Sequence, residues 1–163
     1  MTIANEILGF SAEIVEHLRQ RGETISTAES LTAGSVSAGI VTVAGASDVF
    51  VGGVTAYRDE IKISHLSVDP ALIEKHTVIS EEVAIAMAKG AIKSFGTTWA
   101  IATTGVAGPT PSDGYPIGVV WVAIEGPISH TIELALSGDR DSVRNAATSS
   151  AIATFARILR HRV

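Results

Sequence analysis

The sequence predicts a single-domain α/β protein, a three-layer α/β/α sandwich on a mixed sheet of about five strands. Three observations carry that expectation. The patterns run helix, strand, helix, strand, helices, strand, hairpin, helix, which places helices on both faces of a sheet. The length of 163 residues suits one domain, and 46% hydrophobic against 18% charged residues is enough to fill a core. Aromatic residues make up only 5%, so the core must come from Ala, Val, Ile and Leu, which suits helices lying close to a sheet. Residues 1–163 are therefore read as one domain.

Each element has its own warrant. Ile3, Ile7, Leu8, Ile14, Val15 and Leu18 recur at helical spacing up to Gly22, a helix stop. Thr24 to Ala28 reads as a short strand. Glu29-Ser30-Leu31-Thr32-Ala33-Gly34 opens an Ala/Ser/Gly-rich stretch that predicts a helix to about Val43. Val49 to Tyr57 is β-branched around Gly52-Gly53, a strand with a bulge or a close backbone approach. Arg58 to Ser64 reads as helical, and Asp69-Pro70 starts a further short helix, with Pro in its first turn. Ser80 caps the next helix, in which Val83, Met87 and Ile92 share a side. Trp99 to Thr103 is a buried strand that runs into a loop, Thr104 to Gly114. Ile117–Ile124 and Ile128–Leu136 pair as a hairpin through Glu125-Gly126-Pro127, and Asp139 to about Leu159 forms the last helix.

Composition excludes several function classes. A formal net charge of −5 argues against a broad nucleic-acid-binding face, which needs clustered Lys and Arg. The absence of cysteine excludes disulfides, thiolate metal sites and thiol catalysis. No apolar run approaches the ~20 residues of a membrane span, so no membrane partner is expected. Glu6, Glu13 and Glu16 interrupt the N-terminal apolar residues, which is unlike a secretory signal, and a cytoplasmic address is the default expectation.

Chemistry-bearing residues gather at two strand ends, where open α/β sheets take their ligands. Ser30 follows the first strand, beside backbone N–H groups that can stabilise developing negative charge. The alternative is an ordinary helix N-cap, which Thr27 or Thr32 can also supply. A nucleophilic serine needs a base. His17, His65, His76, His130 and His161 are scattered and pair with no carboxylate in a catalytic or metal-binding pattern. Lysine serves if desolvation lowers its pKa, and Lys62, between Ile61 and Ile63 and just past Tyr57, is the candidate. Thr104-Gly105 and Gly108-Pro109 can bring backbone amides against an anion, but form neither a dinucleotide fingerprint nor a Walker motif. Arg140 and Arg144 share a face at the start of the last helix and suit a phosphate, with pairing to Asp139 and Asp141 as the alternative for Arg144.

Taken together, these segments resemble the CinA C-terminal domain family of nicotinamide-nucleotide amidases. The resemblance rests on Thr27-Ala28-Glu29-Ser30-Leu31-Thr32-Ala33-Gly34, on Gly52-Gly53-Val54 through Tyr57 and Lys62, and on Ser80. It extends through Thr104-Gly105-Val106-Ala107-Gly108-Pro109 and Gly138-Asp139-Arg140, from about residue 5 to the C-terminus. Two positions depart from the family's common pattern: Ala33 stands where a glycine is usual, and Val106 where isoleucine is usual. Some members carry a further N-terminal domain of the molybdopterin-binding type with pyrophosphatase activity. This chain has no room for it, so that activity is expected to be absent.

The resemblance implies an amidohydrolase that converts nicotinamide mononucleotide to nicotinate mononucleotide and ammonia. Ser30 would be the nucleophile, Lys62 its base, and Tyr57 would orient Lys62 or relay a proton. Thr32, Ala33, Gly34, Thr104, Gly105, Arg140 and Arg144 would bind substrate, with Arg140 on the phosphate. No cofactor and no metal enter this scheme. The alternative is a non-catalytic nucleotide-binding module of the same fold. Ala/Gly-rich helical surfaces add the expectation of a homo-oligomer.

Overall fold

The computed structural model describes residues 2–162. Helix α1 (Ile3–Arg21) starts where the Thr2 side chain accepts from the Asn5 N–H, and ends at Gly22 in the left-handed conformation, φ 63°. Strand β1 (Ile25–Glu29) is buried throughout. After it come α2 (Ser35–Val41), a short 3-10 turn at Ala46–Asp48, and β2 (Phe50–Thr55). Three helices follow: α3 (Asp59–Leu66), α4 (Pro70–His76) and α5 (Glu81–Phe95). Asp69 caps α4 and Ser80 caps α5, as their sequences predict. The chain closes with β3 (Trp99–Gly105), β4 (Val119–Glu125), β5 (His130–Ala135) and α6 (Arg140–His161).

The five strands form one open sheet in the order β2-β1-β3-β4-β5. β1 runs parallel to β2 and β3, whereas β3, β4 and β5 are successively antiparallel, so the sheet is mixed as expected. Helices α1, α2 and α6 cover one face; α5, with α3 and α4 against it, covers the other. None of the described helices is long and apolar enough to cross a membrane.

Alternation along the central strands sorts residues by size. Trp99 and Ile101 of β3, with Val120, Val122 and Ile124 of β4, join the core under α1 and α6. Ala100, Ala102 and Ala123 face the other way, against Ala84, Ala88 and Ala91 of α5. The low aromatic content thus has a geometric use, since a methyl-lined face lets α5 lie close to the sheet. Gly90 of α5 serves a different contact, with α3, because a Cβ there would run into the Leu66 carbonyl at the end of that helix.

The Gly52-Gly53 signal also has its structural cause. The β1–β2 register jumps from Ile25↔Phe50 to Ser26↔Gly52, a bulge at Val51. A Cβ on Gly53 would strike the Thr27 hydroxyl. One expectation fails, because no helix runs from Glu29. Residues 30–34 form a turn, and α2 starts only at Ser35, with Gly34 as its N-cap. Ser30 is therefore not the cap of that helix.

Candidate functional site

Three parallel strand ends lie level. The Ser30 N–H donates to the Thr103 carbonyl at 2.9 Å, and the Ala56 N–H donates to the Glu29 carbonyl at 2.8 Å. From β1 the chain passes to β2 on one side, yet it returns from β2 to β3 on the other. Such a reversal opens a crevice at the carboxyl ends of the strands. A cavity of ≈ 350 Å³ occupies that place, walled by Ser30 and Leu31 after β1, by Tyr57, Asp59 and Lys62 after β2, and by Thr104 to Gly108 at the end of β3 and just past it. Val78, Ile79, Thr110, Ser112, Asp113 and Arg140 complete it.

The Ser30 turn is held by a buried carboxylate. Glu29, 1% exposed, accepts from the N–H groups of Gly34, Val36 and Ser37 at 3.0, 3.0 and 2.8 Å, and from the Thr32 and Ser37 hydroxyls at 2.7 Å each. It replaces the missing side-chain cap of α2 and sets a negative charge at the positive end of the helix. Thr32 also meets the Thr103 hydroxyl at 2.8 Å. From the other side Arg144 donates to the carbonyls of Leu31 and Thr32, at 2.9 and 3.3 Å, with Asp141 at 3.9 Å.

Lys62 is shaped by different forces. It lies in the second turn of α3 and is 1% exposed, yet it borders the cavity. Its Nζ donates to the Tyr57 carbonyl at 3.3 Å and to Asp59 Oδ1 at 3.4 Å. Burial pushes the Lys62 pKa below the ordinary lysine value, while the negative charge of Asp59, its hydrogen bond to the amine, and then the charge of Asp113 pull it back up. Asp59 is one turn before Lys62 on the same helix face.

Of the residues expected from sequence, Ser30, Tyr57, Lys62, Thr104, Gly105 and Arg140 meet at this cavity. Thr32, Ala33, Gly34 and Arg144 do not line it; they build the turn beneath Ser30, because their polar groups are committed to Glu29, Thr103 and backbone carbonyls. Tyr57 meets Lys62 through its backbone and not its ring, and the role expected of Thr104 needs correction. The Tyr57 phenol is engaged by Arg140 Nη2 at 2.9 Å, and only the Tyr57 carbonyl meets Lys62. The Thr104 hydroxyl donates to the Val78 carbonyl at 2.6 Å, so its proton is not free for an oxyanion. Arg140 also donates to the Gly108 carbonyl, joining three segments at the cavity rim. Gly105 admits no side chain, since a Cβ would sit 2.5 Å from the Val119 carbonyl. The sequence reading missed Glu29, Leu31, Asp59 and Asp113 as site-building groups. For Asp59 the signal was present in its spacing from Lys62; for Asp113, in its place within the long loop.

Fold and cavity together define the class: an open, doubly wound α/β domain with a polar crevice at the switch point of its sheet. The chain belongs to the CinA C-terminal domain family, whose model matches residues 8–159. It is 39% identical over 145 residues to a CinA-like protein of Myxococcus xanthus, covering 86% of this chain and 34% of that protein. A CinA-like protein of Kosmotoga olearia is 43% identical over 141 residues, covering 85% and 34%. The chain thus spans about a third of the length of these curated relatives. Among solved structures, the competence damage-inducible protein A of Klebsiella pneumoniae superposes with TM-score 0.92 at 30% identity, covering 96% of this chain and 99% of that one. A CinA superfamily protein of Escherichia coli gives TM-score 0.90 at 28% identity, covering 93% and 90%.

Proposed function

We propose that this domain hydrolyses the carboxamide of nicotinamide mononucleotide, giving nicotinate mononucleotide and ammonia. The observation that carries the proposal is Lys62, an almost fully buried amine with a lowered pKa on the wall of the cavity that Ser30 also borders. A lysine that sheds its proton readily can act as a base where histidine is absent.

In the first half-reaction Lys62 Nζ, neutral, takes the Ser30 hydroxyl proton while Oγ bonds to the carboxamide carbon. The carbonyl oxygen becomes an oxyanion, for which the N–H groups of Leu31 and Gly105 are the donors offered; the Ser30 N–H is already committed to Thr103. Collapse breaks the C–N bond, and the Lys62 ammonium returns its proton to the leaving nitrogen, which departs as ammonia. Water then attacks the acyl ester, Lys62 accepts its proton, the ester C–O bond breaks, and Ser30 regains its hydrogen. Arg140 takes the phosphate with the guanidinium N–H groups left over from Gly108 and Tyr57, since five are available.

The test is ammonia release from the mononucleotide by wild type, Ser30→Ala and Lys62→Ala. Each substitution is expected to cost several orders of magnitude in kcat. Undiminished release by Ser30→Ala would remove Ser30 as nucleophile. Tight binding with no turnover by wild type would favour a nucleotide-binding module instead.

A further inference from the structure

The cavity carries a charge layout that the reaction scheme leaves unused. Its walls hold two carboxylates, Asp59 at the start of α3 and Asp113 in the β3–β4 loop, together with Lys62 and Arg140. Arg140 sits at the rim, where it is tied to Gly108 and Tyr57. Asp59 lies 3.4 Å from Lys62 Nζ. Asp113 is held by its neighbours: the Ser112 hydroxyl donates to its carboxylate at 2.9 Å, and Ser112 and Tyr115 exchange backbone hydrogen bonds around it.

The state in which Lys62 can act as a base is its neutral one. In that state Asp59 loses the positive charge it faces, and Asp113, whose charge also acts on Lys62, makes no salt bridge among the described residues. Two negative charges then border the chamber where the reacting amide must lie, while the guanidinium waits at the rim. A ligand that complements this layout has an anionic group at one end and a positive charge beside its amide at the other. We infer that Asp59 and Asp113 are specificity determinants that select a positively charged, oxidised pyridinium ring over its neutral, reduced counterpart. The inference rests on the proposed mononucleotide substrate and adds which redox form of it the site accepts.

Oxidised and reduced nicotinamide mononucleotide share the phosphate, the ribose and the carboxamide, and differ in ring charge. The reduced amide is conjugated to the ring nitrogen and is a poorer acyl donor whatever the enzyme does, so binding is the cleaner readout. Calorimetric Kd values for both forms are to be measured on Ser30→Ala protein, which does not consume substrate, alone and combined with Asp113→Asn or Asp59→Asn. The parent should bind the oxidised form more tightly. Each asparagine should narrow that preference by about threefold to tenfold, the range of a partly screened charge pair, chiefly by weakening the oxidised form. An oxidised-to-reduced Kd ratio unchanged in both asparagine variants overturns the inference even if wild type releases ammonia. If neither form binds and wild type releases no ammonia, the proposed substrate has failed and this inference falls with it.

Discussion

The two sides of the cavity are organised by opposite means. On the β1 side the turn below Ser30 is a polar construction, with a buried carboxylate receiving five hydrogen bonds and a guanidinium clasping two carbonyls. On the α3 side Lys62 has one carbonyl and one half-exposed carboxylate as partners, and its character comes from burial. The first arrangement fixes where an atom is; the second shifts the balance of the charge it carries. In the proposed reaction a hydroxyl needs no unusual pKa if its base is close, so position is the property worth fixing. An amine is a base only when neutral, so desolvation is the property that matters there.

If this contrast holds, damage to the polar side should register mainly as lost stability. The largest effect is expected from Glu29→Ala, which leaves three N–H groups of the turn and α2 without their acceptor: a loss of about 3–5 kcal/mol in urea unfolding. A near-neutral result would break the comparison. Arg144→Ala should cost about 1–2 kcal/mol and lower kcat while KM changes little, whereas Arg140→Ala should raise KM and leave the fold intact. A KM effect from Arg144 equal to that from Arg140 would return it to the ligand. Ala33 has φ 50°, a left-handed conformation that glycine adopts without strain, so Ala33→Gly should stabilise by about 1 kcal/mol in the same assay.

The α3 side should register in pH dependence. Because burial lowers the Lys62 pKa, kcat/KM should rise with pH through a limb below the ordinary lysine range. Asp59→Asn removes the main influence raising that pKa and should move the limb to lower pH; a move upward would contradict the electrostatic account. The same shift bears on stability. Between the lowered folded pKa and the ordinary unfolded one, the unfolded chain holds more protons, so stability rises with pH across that window and levels off below it, once the buried amine is protonated as well. Lys62→Met should flatten this slope.

Much of the architecture was legible in the chain. Strand and helix order, the caps at Asp69 and Ser80, the close approach at Gly53 and the meeting of two strand ends all follow from local pattern and turn chemistry. The turn after β1 was not, because its organiser is an acid pointing into a helix that begins six residues later, and small residues such as Ala33 and Gly34 look helical by composition. Thr104 and Tyr57 line the cavity, but their hydroxyl partners, Val78 and Arg140, come from distant parts of the chain. Spacing can bring such residues to one end of the sheet; it cannot show where each proton goes.

The contacts of Arg140 have a last consequence, for the order of assembly. Tyr57 and Gly108 precede it by 83 and 32 positions and belong to segments on either side of α5, so the doorway they share is fastened only once the final helix has docked. The sheet and its methyl-lined face can condense earlier from nearer neighbours. Recovery of the proposed amide hydrolysis during refolding should therefore lag behind recovery of secondary structure, as a gate that is hung after the walls are up.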